Sequence, residues 1–397
     1  MSSSLGPIQW LREFILRPIL QIFLFVAVSA FVISTIAILI GFVVGSMQGG
    51  PLIAILPVFK VPARIDLFQQ VLKQLPNTLV NGITIGFVYA VIAVGYTMVY
   101  GVLKFVNFAH SEIFMVGGFV GYEIMTLFDR AGIISTFPPL VMVIIMLLAA
   151  MVVCGILAVA MERLAYKPLR RAPRLVPLIS AIGVSFFLQD LMRAYAALVH
   201  NQFNVAYLNE KVSFLTQRFQ LTAIRDVFPS TLPVSLGMDA IVVITGAMIM
   251  VLVLNFIVNG TRIGKGIRAV AQDQTTASLM GINVDLMITL TFLIGGALGG
   301  AAGVLFGIKT TRINAYVGFI PGLKAFTAAV LGGIGNITGA LLGGIILGML
   351  EAFFASILPF FPALGLGYVD IFAFAILILI LIFRPTGLLG KKVDEKV

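Results

Sequence analysis

Apolar residues run through this chain in blocks of about 20, the length an α-helix needs to cross a bilayer core. No charged residue occurs from Pro18 to Phe59, and residues 19–45 read as the first span. Further blocks lie at 79–100, 105–127, 137–161, 176–199, 239–258 and 286–308. The Gly-rich stretch 316–357 is too long for one span and is divided at Gly335–Asn336 into two passes; the last block is 366–383. The pattern predicts an all-α fold, a polytopic transmembrane helical bundle of about ten passes. The first block is too long for a signal-peptide core and no A-x-A-like site follows it closely, so it is expected to be retained. After Gly50–Pro51, Pro57 and Pro62, residues 64–75 form an amphipathic piece expected to lie at the interface. Three parts follow: an extension at 1–75 with one extra transmembrane helix and an interfacial helix, a core at 76–390, and a tail at 391–397.

Charge sets the direction. Arg163, Lys167, Arg170, Arg171 and Arg174 fill one loop, Arg262, Lys265 and Arg268 a second, and Arg384, Lys391, Lys392 and Lys396 the tail. Lys and Arg collect on the cytoplasmic side. Ten passes place all three segments and both termini inside, with 15 of the 26 basic residues there and 9 outside. A single long pass at 316–357 would turn the basic tail outward, so parity supports the division at Gly335. The loop 201–238 is then external, and is expected to hold short helices or a docking surface for an external partner.

Two features suggest a pathway. Val106–Asn107–Phe108 leading to Gly117–Gly118–Phe119 resembles Ile313–Asn314–Ala315 leading to Gly332–Gly333–Ile334. Five passes separate the segments that carry them, so the second copy is inverted; inverted repeats place a transport path at their interface. Glycines also recur at helical spacing, at Gly295, Gly296, Gly299, Gly300 and Gly303, and again at Gly335, Gly339, Gly343, Gly344 and Gly348. These read as close helix packing and not as ligands.

Composition narrows the function. Hydrophobic types make up 60% of the 397 residues and charged types 11%, so a soluble enzyme, a nucleic-acid-binding domain and a disordered chain are excluded. One Cys and two His leave no material for a disulfide scaffold or a metal site. Gly260 to Gly266 lacks P-loop spacing, and neither HExxH nor GxSxG occurs, so no catalytic residue, cofactor or metal is assigned. Ionisable groups within spans are costly and often functional. The densest set is Asn107, His110, Ser111 and Glu112; His110 and Glu112 point apart on a helix, and an interrupted helix here would present backbone groups to a polar substrate. Lys324 falls in the repeat-mate region and joins them as a candidate path residue. Asp190 and Arg193, three apart, are expected to neutralise each other structurally; Glu123, Glu351 and Asp370 carry no assignment.

The polar segment 264–285 is cytoplasmic in this topology. It predicts a helix over 267–280 closed by Gly281, with Ala269, Val270, Asp273 and Ala277 on a compact surface that could transmit motion from a soluble partner.

Four stretches resemble a known family: GYTMVYGVLKFVNFAHSEIFMVGG (95–118), ERLAYKPLRRAPRLVPLISAIGVSFFLQ (162–189), GIRAVAQDQTTASLMGINVD (266–285) and GLKAFTAAVLGGIGNITGALLGG (322–344). They look like the LivH-type permease of branched-chain amino-acid ABC importers, in order and at similar spacing from about residue 72 onward. The resemblance implies a non-catalytic subunit of the bacterial plasma (inner) membrane, surrounded by membrane lipid. It would pair with a second, LivM-type permease, two cytoplasmic ATP-binding subunits that use ATP and Mg, and an external solute-binding protein; nucleic acid has no role. The ATPases would dock at Gly266, Arg268, Ala269, Asp273, Ala277 and Gly281. Urea, amide and other amino-acid permeases share the scaffold, and an ion-coupled secondary transporter is the remaining alternative. Ser111 stands where the family usually has Gly, and the first ~65 residues have no counterpart in its pattern.

Overall fold

The computed structural model describes residues 9, 11–47, 66–134, 136–170, 172–173, 175–207, 215, 217–221, 234–361 and 363–390. Among them are twelve α-helices: α1 (Arg17–Met47), α2 (Leu67–Leu103), α3 (His110–Arg130), α4 (Pro139–Met161), α5 (Leu175–Tyr195), α6 (Met238–Gly260), α7 (Arg262–Gln272), α8 (Gln274–Leu279), α9 (Val284–Thr310), α10 (Phe319–Gly332), α11 (Ile337–Ile357) and α12 (Val369–Phe383). Single π-helical stretches extend α4 over Glu162–Tyr166 and α5 over Ala196–His200. Eight helices are long and apolar enough to cross a membrane, as a polytopic helical bundle requires.

Helix α2 forms the centre, buried on nearly all sides from Phe87 to Val99. It packs against α11 and α9, and small residues set those distances. A Cβ on Gly348 of α11 would fall on the backbone of Gly86, and one on Gly86 would lie 2.9 Å from Ile345 Cα. On α9, a Cβ at Gly300 would lie 2.6 Å from both Ala150 O and Cys154 Cβ of α4. Gly295 to Gly303 and Gly339 to Gly348 are therefore packing surfaces, as expected, whereas Gly335 sits in the turn before α11 with φ 92 and no neighbour within 4 Å; lipid tails give no hydrophobic drive between helices, so close backbone approach supplies the dispersion energy. Helix α1 lies at the edge, with Phe23, Phe31 and Phe42 exposed.

Several elements differ from the sequence expectation. The piece at 64–75 is not a separate interfacial helix. From Leu67 onward it is the first turns of α2, capped by Asp66 (Gln69 N–H to Oδ1, 3.2 Å) and continuing through Pro76. Packing of Val71 against α1 at Gly41 holds this end in place. Residues 64–65, the Gly50–Pro62 linker, Arg171, Arg174 and the tail 391–397 lie outside the described residues. Among its described residues, the loop 201–238, expected to hold short helices or a docking surface, holds strands: β1 (Asn204–Ala206), β2 (Arg218–Leu221) and β3 (Val234–Gly237). β2 pairs with β3, and β1 pairs antiparallel with β4 (Arg312–Asn314), Val205 opposite Ile313. The two passes expected over 316–357 are unequal. Helix α11 has 21 residues, whereas α10 has 14, about 21 Å, short of a ~30 Å hydrocarbon core.

Helix α10 is short because it begins partway along the bundle, after a chain reversal like the one that precedes α3. α2 ends at Lys104 and α9 at Thr311, both left-handed (φ 58 and 60), each donating its N–H four residues back, to Tyr100 O (2.8 Å) and Gly307 O (2.9 Å). After each cap the chain turns back alongside the helix it has left before a new helix begins. His110, opening α3, lies level with Gly95 and Gly299; Gly318, preceding α10, lies against Glu112. The start of α3 thus meets the start of α10 halfway along the bundle, the two helices leaving in opposite directions. Lys104 and Asn107 are separated from Thr311 and Asn314 by the same chain distance, so the asparagines mark matching turns; the Gly pairs 117–118 and 332–333 do not share that spacing, the first lying inside α3 and the second at the end of α10.

Candidate functional site

The unwound residues 104–109 put the polar cluster at this midpoint. Asn107 O accepts the His110 N–H (3.1 Å), which starts α3, and Asn107 Oδ1 accepts the Tyr166 hydroxyl (2.7 Å). His110 is buried edge-on to Tyr96, its ring seated where Gly95 leaves no side chain; Nε2 has no hydrogen-bond partner. Ser111 Oγ donates to Phe108 O (2.7 Å) and lies 3.3 Å from Glu112 Oε1. That Glu112 oxygen also accepts from Ser185 Oγ (3.1 Å) and Gln189 Nε2 (2.8 Å) on α5. Glu112 Oε2 has no partner and faces Gly318. As expected, His110 and Glu112 do not pair.

A cavity of about 210 Å³, room for about seven waters, opens beside these groups. Tyr96, Phe108, Ile182, Phe186, Phe319 and Leu323 give it apolar walls, and Ser111 and Ser185 its polar edge. The N-terminal ends of α3 and α10, each carrying partial positive charge, converge here. The arrangement suits a small solute with a polar head and an apolar body. Ser111, in place of glycine, is accommodated because the facing residue is Gly322, where a Cβ would overlap the Ser111 side chain.

Lys324 does not join this cluster. Its ammonium lies 2.9 Å from Glu351 Oε1 and 2.7 Å from Asp370 Oδ1, and Tyr89 donates to Glu351 Oε2 at 2.8 Å. α11 and α12 supply these carboxylates, and local spacing could not show a pairing across such chain distances. Glu123 pairs with His200.

At the basic end, a network the sequence reading missed ties α4 to α9. Buried Glu162 binds Arg170 and accepts from Thr289 Oγ1 (3.0 Å); Arg170 (2.6 Å) and Lys167 (2.9 Å) bind Asp285. An acid closing an apolar span before a basic loop was its visible signal. Ser185 and Gln189, i,i+4 within the apolar block 176–199, were a similar signal for the site.

The polar segment is two helices and not one. Asp273 breaks it, accepting from Thr276 N–H (2.9 Å) as the N-cap of α8. This bond, with help from Thr275 N–H, holds the Asp273 carboxyl below the usual carboxylate range. Thr261 caps α7 in the same way through Gly264 N–H (3.1 Å). Arg268 reaches back to Val258 O and Asn259 Oδ1, and Gln274 Nε2 donates to Val102 O (2.8 Å), fastening the pair to α6 and α2. Ile267, Val270 and Ala277 are buried, and Gly266 packs against Met287; Ala269 is half-buried. Gly281 (φ 83) closes α8 as expected, leaving Leu279 and Met280 exposed by 84% and 78%.

Asp190 and Arg193 pair as expected (3.2 Å), but on the outside of α5, with side chains 66% and 49% exposed. Arg193 Nη1 also donates to the Tyr316 hydroxyl (2.9 Å).

Residues 78–381 match the family described as the branched-chain amino acid transport system permease component. The chain belongs to this family. It is 41% identical over 327 residues to the high-affinity branched-chain amino acid transport system permease protein BraD of Pseudomonas aeruginosa, covering 80% of this chain and 97% of that one. It is 41% identical over 317 residues to LivH of Escherichia coli, covering 80% and 96%. The likeness extends to a probable LivM permease of Methanocaldococcus jannaschii, 30% over 144 residues, or 33% of this chain and 41% of that one. No solved structure matches. The permease family accounts for the core from α2 to α12; α1 lies before the matched residues.

Proposed function

We propose that this chain is a transmembrane permease subunit of an ATP-driven importer of branched-chain amino acids, in the bacterial plasma membrane with both termini cytoplasmic. It forms one wall of the path, pairs with a second, LivM-type permease, and receives substrate from an external solute-binding protein. Two ATP-binding subunits, using ATP and Mg, dock on α7 and α8 around Gly266–Gly281. Asn107, His110, Ser111 and Glu112 line or support the path; Lys324 acts from the scaffold behind it. One observation carries the reading: an apolar-walled cavity with a buried polar edge where the two repeats meet, within a chain that is 41% identical to a branched-chain amino acid permease over nearly that protein's whole length. The walls Ile182, Phe186 and Leu323 favour an aliphatic side chain over urea or a small amide.

Coupling works through position. ATPase closure displaces α7 and α8, and Gln274 and Arg268 pass that displacement to α2 and α6. The test is co-purification and uptake after scrambling 266–281: loss of the ATPases and of ATP-driven uptake is expected, and full transport would contradict the assignment. A second reading, an ion-coupled transporter, draws on Glu351 and Asp370 meeting at Lys324. Uptake by the chain alone under a proton or sodium gradient would favour it.

A further inference from the structure

The charged pair on the outside of α5 has no part in the reading above. Together with its π-helical extension, α5 covers Leu175–His200. Asp190 stands about 22 Å along it from Leu175 and about 15 Å from His200, within the span and away from either end. Ionised side chains at this depth do not face lipid. The stripe that carries them, Ile179, Ile182, Phe186, Asp190 and Arg193, is exposed along its length. A protein-lined, water-holding space must therefore cover it.

The structure supplies one side of that space. A groove of about 620 Å³ is lined by Asp190, Arg193, Ala194, Ala197, Phe203 and Tyr316. It continues toward the mid-bundle cavity on both flanks. On α5, Asp190 follows Phe186 of the cavity by one turn; on the segment entering α10, Tyr316 precedes Phe319 of the cavity by three residues. The groove and the cavity lie one helical turn apart on α5.

We infer that the groove is an outer binding subsite for the zwitterionic head of an α-amino acid, with Asp190 taking the ammonium and Arg193 the carboxylate. The inference rests on the permease reading above. Arg193 meets Asp190 through Nη2 and Tyr316 through Nη1, so its planar fork keeps further donors for a carboxylate. Asp190 is held through Oδ1. An arriving zwitterion replaces each partner by one of like charge, so the pair opens without leaving either group unmatched. Ala194, Ala197 and Phe203 offer the aliphatic side chain an apolar floor. From here the substrate moves one helical turn inward to the cavity beside Glu112.

The test uses the complete complex, both permeases, ATPases and binding protein, in proteoliposomes with radiolabelled leucine. Wild-type import tests the permease reading, and its absence sinks both that reading and the ligand assigned here. D190N and R193Q are each expected to lower leucine import about tenfold or more, the loss of one charge-assisted contact, with subunit composition unchanged. The exchanged pair D190R/R193D keeps both charges in contact but reverses their order, and is expected to remain defective. Wild-type import by D190N or R193Q, with the unaltered complex active, overturns the inference alone. So does recovery in the exchanged pair, which would make the residues a neutralising bridge. Loss of the second permease from the variant complexes would make them an anchor between subunits, and overturns it too.

Discussion

Replacing Lys324 by Met tests whether this buried cation belongs to the scaffold. The side chain is 7% exposed and its ammonium sits between Glu351 and Asp370, at 2.9 and 2.7 Å. Methionine fills nearly the same volume, so little of the effect is a cavity. What changes is charge: two carboxylates remain, and Tyr89 O–H is a donor to Glu351 only. Breaking a buried pair from one side costs about 3–5 kcal/mol because the other charge stays behind. Asp370 is 37% exposed and recovers some hydration, which places the cost near about 3 kcal/mol. In a chain of this size that corresponds to a fall in Tm of about 4 °C. Cys154 provides the assay. It is the one cysteine, fully buried against Ile113, so a fluorogenic maleimide reads unfolding directly. K324M/E351Q/D370N, with no charge left unmatched, is expected to regain most of the lost Tm and leucine uptake together. An unchanged Tm in K324M would refute the scaffold argument. A triple variant that regains Tm but not uptake would return Lys324 to the path.

Three further outcomes follow from local geometry. G348A places a methyl group on the backbone of Gly86 and forces α2 from α11, at an expected cost of about 1–3 kcal/mol in the same thiol assay; a wild-type Tm would show that this contact is loose. E112A removes the acceptor for Ser185 and Gln189, about 1–3 kcal/mol for each donor left without a partner, and abolishes uptake; E112Q preserves volume and is expected to regain stability more than transport, while uptake surviving in E112A would remove this group from the path. Asp273 has its carboxyl pKa held low by capping α8, so its contribution is present above the unfolded carboxylate pKa and is lost as pH falls through the lowered value; the protection factor of the Thr276 amide, its exchange relative to the intrinsic rate at that pH, should fall there, and in D273A at neutral pH, and equal protection in D273A and wild type would show that the cap is idle.

Much of the architecture was legible because lipid imposes a coarse rule: each apolar block of spanning length became a helix. The repeat was legible through Asn107 and Asn314, since both sit just past a left-handed helix end that reverses the chain. What stayed hidden depended on geometry beyond sequence neighbours. The polar run from Asn107 to Glu112 pointed to an interrupted helix, but Phe105, Val106 and Phe108 are as apolar as any span residue, so the break was not placed at 104–109; the left-handed Lys104 cap decides it. Asp273 looked like a residue on one helix face and proved to end one helix and start another, because its short side chain outcompetes α-helical continuation for the Thr276 N–H. Lys324 was grouped by repeat position with Glu112, yet lies on a different face of α10, toward carboxylates from two later helices. Asp190 and Arg193 were correctly paired, but only the fold showed that the pair points out of the chain.

The central claim, that this permease moves solute only when partner ATPases drive it, is tested by leucine uptake into proteoliposomes holding the full complex, with and without internal ATP and Mg, beside vesicles holding this chain alone. The account predicts accumulation only in the complete complex with ATP. Accumulation by the chain alone, driven by an imposed proton or sodium gradient, would contradict it.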